Sequence, residues 1–314
     1  MRLLLFNPET EYALASGASF YTPPASVEKL RKQYELLPEA WAEKGDYILV
    51  EKTEGMASEF NLVEWNGLSD LFKEIEDISI EPWGWNHALI RRFADAGVPA
   101  RYLPDESKMD LIRRLAHRRT TVRLNSLWND YAGSARRTDI PVELKSEKDS
   151  MEYYRCNNGC WMKAPWSSSG RGVINTGADM TEELVRQWCH GIIRRQGSVM
   201  GETGADRIAD FATEWKLDNG NAEYIGLSSF ATSGRGKYLS NHAKSQSELK
   251  SEFDELSDVS IDEVINIQKE IIEEVFEGYD GPLGVDMIVE RNRMLRPFVE
   301  VNLRRTMGML YIQE

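Results

Sequence analysis

A chain of 314 residues, 41% hydrophobic and 28% charged, can bury a substantial core spread over two or three lobes, and its composition excludes disordered and fibrous classes. A net charge of -13 disfavours nucleic acid and anionic membranes as partners, because both reward clustered Lys and Arg. An anionic substrate would need a local basic pocket.

In chain order, "RLLLFNP", a helix from about Ser26 and "DYILVEK" (Asp46 to Lys52) read as strand, helix, strand, the start of a parallel α/β unit. "WNHALIRRFADAGVPARYLP" adds a helix ended at Gly97 with Pro99 beyond it. Residues 1–104 are therefore expected to form an N-terminal α/β lobe, in which "FNPETEYALASG" and "YTPP" carry no assignable chemistry. Asp105 to about Asn129 is helical and basic, with Lys108, Arg113, Arg114, Arg118, Arg119 and Arg123. Such a run is either a solvated face or part of a site.

"GCWMKAPW" and "RGVINTG" read as strands around a serine-rich loop, "TEELVRQWCHGIIRRQ" as a helix and "SVMGE" as a strand, a small α+β unit over about 150–203. "ADFATEWKLDNG" alternates like a strand, and Asn219-Gly220 turns it into "AEYIGLSSFAT". Ser245 to Ser260 is polar and is expected to be an exposed loop with a helical piece. A helix capped at Ser260, with Glu263 as its capping-box partner, is expected to run to about Glu277. "GPLGVDMIVE" and "LRPFVEVNLRR" close the chain as two strands. The apolar content before Pro8 is too small for a signal-peptide core and no stretch approaches the ~18 apolar residues of a membrane span. Cys156, Cys160 and Cys189 are too few for a disulfide framework. A cytoplasmic location is expected.

The last two strands carry the strongest chemical signal. With Asn292, Arg293 and Met294 as a hairpin loop, Arg291 pairs with Leu295 and the register places Asp286 opposite Glu300. Alternation brings Asn302 and Arg304 to the same face. Opposed carboxylates destabilise a sheet unless a cation joins them, and hard oxygen ligands suit Mg²⁺ or Mn²⁺. The alternative is an ordinary solvated face, although both acids sit in strongly apolar strands. Upstream, Lys163 on a strand followed by Ser167, Ser168, Ser169, Gly170, Arg171 and Gly172 offers a cation and a run of backbone N–H groups able to fold over phosphates. A plain surface hairpin explains that segment equally well. It is neither a Walker A loop nor a dinucleotide fingerprint.

Taken in order, Lys163, the loop ending G-R-G, a helix, Glu202 at the end of "SVMGE", a β-rich region, then G-V-D and E-V-N-L-R resemble the ATP-grasp superfamily of carboxylate-amine and carboxylate-thiol ligases, over residues 105–314. The resemblance implies an α/β and α+β fold: a Rossmann-like N-terminal lobe, a small lid subdomain at about 150–203 and a β-rich C-terminal part. It implies that Lys163 contacts nucleotide phosphates, that Ser168, Ser169, Gly170, Arg171 and Gly172 close over them, and that Glu202 lies where the chain passes the adenine. Asp286 and Glu300 would be the magnesium-ligating acids, Asn302 the adjacent amide ligand and Arg304 the arginine that steadies phosphate or intermediate. Arg118 would take the place of an earlier phosphate-contacting lysine, with Arg119 as the other candidate.

The expected activity is ADP-forming ligation in which a small carboxylate is activated as an acyl phosphate and attacked by an amine (or thiol), with ATP and Mg²⁺ (or Mn²⁺) as cofactors. A phosphotransferase and a non-catalytic nucleotide-binding regulator are the alternatives. Substrate contacts are expected in "SFATSGRGKYLSNH", from Arg235, Lys237, Tyr238 and Asn241, though this segment also reads as a plain surface loop. Neither nucleic acid nor membrane is expected as a partner, and a homo-oligomer is compatible with the sequence.

Overall fold

The computed structural model describes residues 1–133, 136–157, 159–167, 170, 172–177, 180–233 and 238–312. The chain divides into two compact units, Met1–Arg113 and Arg114–Glu314.

In the first unit, β1 (Arg2–Leu5), β2 (Tyr47–Val50), β3 (Asn61–Glu64) and β4 (Ser79–Pro82) form a parallel sheet in the order β3-β2-β1-β4. The central strands β1 and β2, buried on both faces, read as continuous apolar runs, LLL and ILV. Helices α1 (Thr10–Ser16), α2 (Ala25–Gln33), α3 (Leu68–Glu74) and α4 (His87–Asp95) follow the strands. Leu3, Leu49, Leu68, Phe72 and Phe93 form the centre of the core. The unassigned "FNPETEYALASG" has a structural use here. Asn7 is buried, and its side-chain amide donates to Gly84 O at 2.7 Å and Thr10 Oγ1 at 2.9 Å, tying the end of β1 to the end of β4.

The second unit contains two antiparallel sheets. The smaller has the order β5-β8-β6-β7: β5 (Val142–Leu144), β6 (Trp161–Lys163), β7 (Val173–Asn175) and β8 (Val199–Glu202). The helices α7 (Glu147–Cys156) and α8 (Glu182–Gln196) accompany it around a core of Met151, Met162, Val185 and Cys189. The larger sheet runs β11-β10-β9-β12-β13, with β9 (Arg207–Asp218), β10 (Asn221–Thr232), β11 (Tyr238–Asn241), β12 (Gly281–Glu290) and β13 (Leu295–Asn302). Asn219 and Gly220 both have positive φ, as the hairpin dipeptide requires.

The basic stretch expected to be one helical run is two, α5 (Glu106–Leu115) and α6 (Thr120–Tyr131). Between Ser245 and Ser260 lies a complete helix, α9 (Gln246–Leu256), and it is this helix that carries a capping box, Ser245 with Glu248. α10 (Ile261–Val275) is capped by the Ser260 side chain, but Glu263 pairs with Arg136 rather than closing a box.

The β12–β13 register is reached by a route other than the sequence suggested. Near the turn Val289 pairs with Leu295 and Ile288 with Arg296, two residues away from the expected pairing, and Arg293 at φ 70 closes the turn. A bulge follows, in which Pro297, Phe298 and Val299 stand against Met287 alone, and beyond it Asp286 faces Glu300. Proline has no N–H for the ladder. The bulge carbonyls are taken by helix side chains: Gln268 Nε2 donates to Pro297 O at 2.9 Å and Asn125 Nδ2 to Phe298 O at 2.9 Å. Both amides are buried. The bulge and these amides fix where Glu300 stands.

Candidate functional site

Side-chain alternation gives the larger sheet an apolar and a polar face. On β9, Phe211, Thr213, Trp215 and Leu217 turn one way, and Asp210, Ala212 and Glu214 the other. Register carries the second face across the sheet: Ala212 opposes Asp286 and Ser228, Glu214 opposes Gly284, and Asp286 opposes Glu300. The two candidate metal acids therefore lie in a row of polar side chains several strands wide.

Cations reach this face from elsewhere in the unit. Arg118 sits in the break between α5 and α6, where its N–H donates to Pro165 O at 3.0 Å. Its guanidinium is 5% exposed, donates to Ala164 O at 2.8 Å and Ser167 Oγ at 2.5 Å, and pairs with Glu300. Arg119 is half-exposed, 4.0 Å from Glu143. Of the two alternatives, the structure brings Arg118 to the acids. Gly172 has a local reason to be glycine: a Cβ there would collide with Ser167, the residue that accepts from Arg118. Lys163, on β6, is buried and its Nζ pairs with Glu202 Oε2 at 2.5 Å.

The two opposed acids differ electrostatically. Burial pushes Glu300 up, but Arg118, then Lys163 and Arg304, outweigh it and hold the carboxyl below its ordinary value. Asp286 is pushed well above its ordinary value, first by burial, then by Glu300 and Glu214, and Arg304 does not compensate. Asn302 Nδ2 lies 3.4 Å from Asp286 Oδ1, while its Oδ1 accepts from Arg304 Nη2 at 3.0 Å; a half-turn of the amide would present the oxygen to the acids. Asp286, Glu300 and the Asn302 amide form a hard-oxygen set in which one carboxylate lacks a counter-charge, and a divalent cation fits that deficit.

Two cavities share these acids. One, of about 120 Å³, is lined by Lys163, Glu202, Asp286, Arg296 and Glu300 among others. The other, of about 160 Å³, is lined by Glu214, Tyr238, Asn241, Asp286, Asn302 and Arg304 among others. Gly170, at φ 72, lines both. Lys163 and Glu202 thus border the first cavity, Tyr238 and Asn241 the second, and Asp286 and Glu300 both. Ser168, Ser169, Arg171, Arg235 and Lys237 lie outside the described residues.

Three residues were missed by sequence reading. Arg296 donates to Thr203 O at 3.1 Å and Gly204 O at 2.9 Å, joining β13 to the segment leaving the smaller sheet. Asp210 lines the first cavity, with its carboxyl raised by burial. Glu214 is 1% exposed, accepts from Ser228 Oγ at 3.0 Å and Thr306 Oγ1 at 2.8 Å, and is pushed by burial to about 7. Gly308 makes room for it, since a Cβ there would collide with its carboxylate. The signal for Glu214 was present in the alternation of "ADFATEWKLD", which sets it on the polar side between Ala212 and Lys216. In the first unit His87, Glu106 and Asp110 bring potential ligand atoms within 4.8 Å of one another, with both acids exposed.

No family model matches the chain, and no curated protein matches its sequence. Solved structures do match. Biotin carboxylase from Campylobacter jejuni, in complex with β-γ-ATP, superposes with a TM-score of 0.57 at 12% identity, covering 98% of this chain and 66% of that one. N5-carboxyaminoimidazole synthetase from Staphylococcus aureus, complexed with ADP, gives 0.53 at 13% identity, over 98% and 71%. An L-amino acid ligase from Bacillus licheniformis gives 0.52 at 14% identity, over 99% and 70%. The chain spans about two thirds of the length of these proteins, all of which have the ATP-grasp fold.

Proposed function

Starting from a chain with the ATP-grasp fold, we propose an ADP-forming ligase that activates a carboxylate as an acyl phosphate and passes the acyl group to an amine. The observation that carries this reading is convergence: Lys163 and Glu202 from the smaller sheet and Asp286 and Glu300 from the larger line one cavity, with Arg118 buried against Glu300. These groups suit a triphosphate on a divalent cation. Structural neighbours with ATP or ADP bound support the same ligand class.

In this reading Lys163 and Arg118 hold the phosphates. Approach of a carboxylate to ATP is opposed mainly by repulsion between anions, and fixed cations in a dry cleft lower that barrier. A carboxylate oxygen attacks the γ-phosphorus, ADP leaves, and the acyl phosphate forms; the amine then attacks the acyl carbon and phosphate leaves. Asp286, Glu300 and the Asn302 amide would hold Mg²⁺ or Mn²⁺, and the cation would supply neutralising charge for the phosphates. Arg304, fixed against the Asn302 amide, faces the second cavity and would steady the transferred group. Gly170 borders both cavities and would help to keep water from the acyl phosphate.

No helix among the described residues is long and apolar enough to cross a membrane, and a cytoplasmic enzyme acting on small molecules completes the reading. The test is product analysis. ADP release that needs both a carboxylate and an amine supports the ligase. ADP with a stable phosphorylated product would replace it with a phosphotransferase, and tight nucleotide binding without ADP would replace it with a regulator.

A further inference from the structure

Glu214 has no place in the nucleotide reading, yet it is among the most buried ionisable side chains of the molecule. It lies at the edge of the second cavity with Ser228 and Thr306 hydroxyls on its two oxygens. Among the described residues no ion pair to it occurs, and the pull of Arg304 on its carboxyl is outweighed by burial. A buried carboxylate without a cation is costly, and glycines at 284 and 308 leave it the space it occupies. Removing it would relieve this cost, so its presence asks for a cationic visitor.

The same cavity holds a second incomplete group. Among the described residues the Asn241 Nδ2 atom, buried on a half-buried side chain, has no hydrogen-bond partner, and Arg304 stands on the same lining. One cavity therefore offers an anion, an unused amide donor and a guanidinium. Its volume of about 160 Å³, against ~10–15 Å³ for one water in this measure, suits a small molecule rather than a peptide chain.

We infer that this cavity takes the amine substrate as a small zwitterion, an α-amino acid, with its ammonium on Glu214 and its carboxylate toward Asn241 and Arg304. The inference rests on the ligase reading for the word substrate, but the binding site itself does not need that reading. The ammonium supplies the missing counter-charge and three N–H donors, and a carboxylate matches the amide and the guanidinium. Asp286 and Glu300 border both cavities, which sets the amine beside the place where the acyl phosphate forms.

The test is calorimetric titration of the full chain, loaded with Mg²⁺ and a non-hydrolysable ATP analogue, with each of the twenty L-α-amino acids and its N-acetyl counterpart. At least one free amino acid is expected to bind, its N-acetyl form at least tenfold more weakly. Glu214→Gln should weaken that binding at least tenfold and Asn241→Ala about threefold or more, each variant still binding the nucleotide analogue as evidence of folding. The inference is overturned if no amino acid binds, if free and acetylated forms bind alike, or if Glu214→Gln binds as the wild type does. Loss of Mg²⁺-dependent nucleotide binding in Glu214→Gln would also overturn it, by assigning Glu214 to the metal. Should the wild type bind no nucleotide, the ligase reading fails, and the same titration without nucleotide decides the zwitterion site alone.

Discussion

The two cavities meet at the same pair of acids and differ in how their charges are balanced. On the Lys163 side two acids have their cations already: Glu202 with Lys163 and Glu300 with Arg118. On the Glu214 side Glu214 is buried and Asp286, which borders both cavities, is half-buried, and no ion pair to either occurs among the described residues. Balanced charge holds the protein's own elements together and leaves it ordered before ligands arrive. Unbalanced charge lowers stability and is kept where a ligand will supply the missing sign.

The contrast can be broken experimentally, beginning with turnover. Glu300→Gln should reduce ADP release about 10²–10³-fold, measured with saturating nucleotide; near-normal turnover would remove Glu300 from the site. Arg118→Met should destabilise the second unit by about 2–4 kcal/mol, because it leaves Glu300, whose side chain is only a quarter exposed, without its cation. Urea unfolding followed by circular dichroism measures this, and a change under 1 kcal/mol would show that the pair is not buried in solution.

Glu214 should show the opposite sign. With its carboxyl at about 7 against an ordinary 4.5, the folded state holds a proton that the unfolded state has lost between those values. Stability from this group is therefore present below about pH 4.5 and lost as pH rises through 7. Glu214→Gln removes that loss. In metal-free buffer the variant should gain on the wild type by up to about 3 kcal/mol between pH 5 and pH 8. A gap that stays constant with pH would show that Glu214 titrates normally. The smallest effect is expected at Gly172→Ala, where the added methyl must displace Ser167 from Arg118: about 1–3 kcal/mol by the same unfolding measurement.

Much of this arrangement was legible in the sequence because it is local or follows strand parity. Lys163 on a short strand, the Asn219-Gly220 turn and the apolar runs of the first sheet need only neighbouring residues to be read. The facing of Asp286 and Glu300 was also legible, though the counting that reached it was wrong near the turn. A bulge at Pro297 to Val299 restores what the turn displaces, and its carbonyl partners, Gln268 and Asn125, come from distant helices. Nothing in "LRPFVEVN" alone reveals those partners. Arg118 was ambiguous for the same reason: its burial depends on a helix break that brings it to Pro165 and Ser167, far along the chain. Parity sets Glu214 on the polar face, but its burial depends on Ser228, Thr306 and Gly308 from other parts of the chain.

The sharpest test is Asp286→Asn, because the imbalance at this residue is what the nucleotide reading and the contrast between the cavities have in common. ATP affinity and thermal midpoint are measured with excess Mg²⁺ and with chelator. In chelator the variant should melt at or above the wild type, since a half-buried charge that no ion pair balances is gone, while the Mg²⁺-dependent gain in ATP affinity should disappear. A variant that melts below the wild type without metal and keeps the full Mg²⁺ gain would show that Asp286 neither carries an unbalanced charge nor holds the cation.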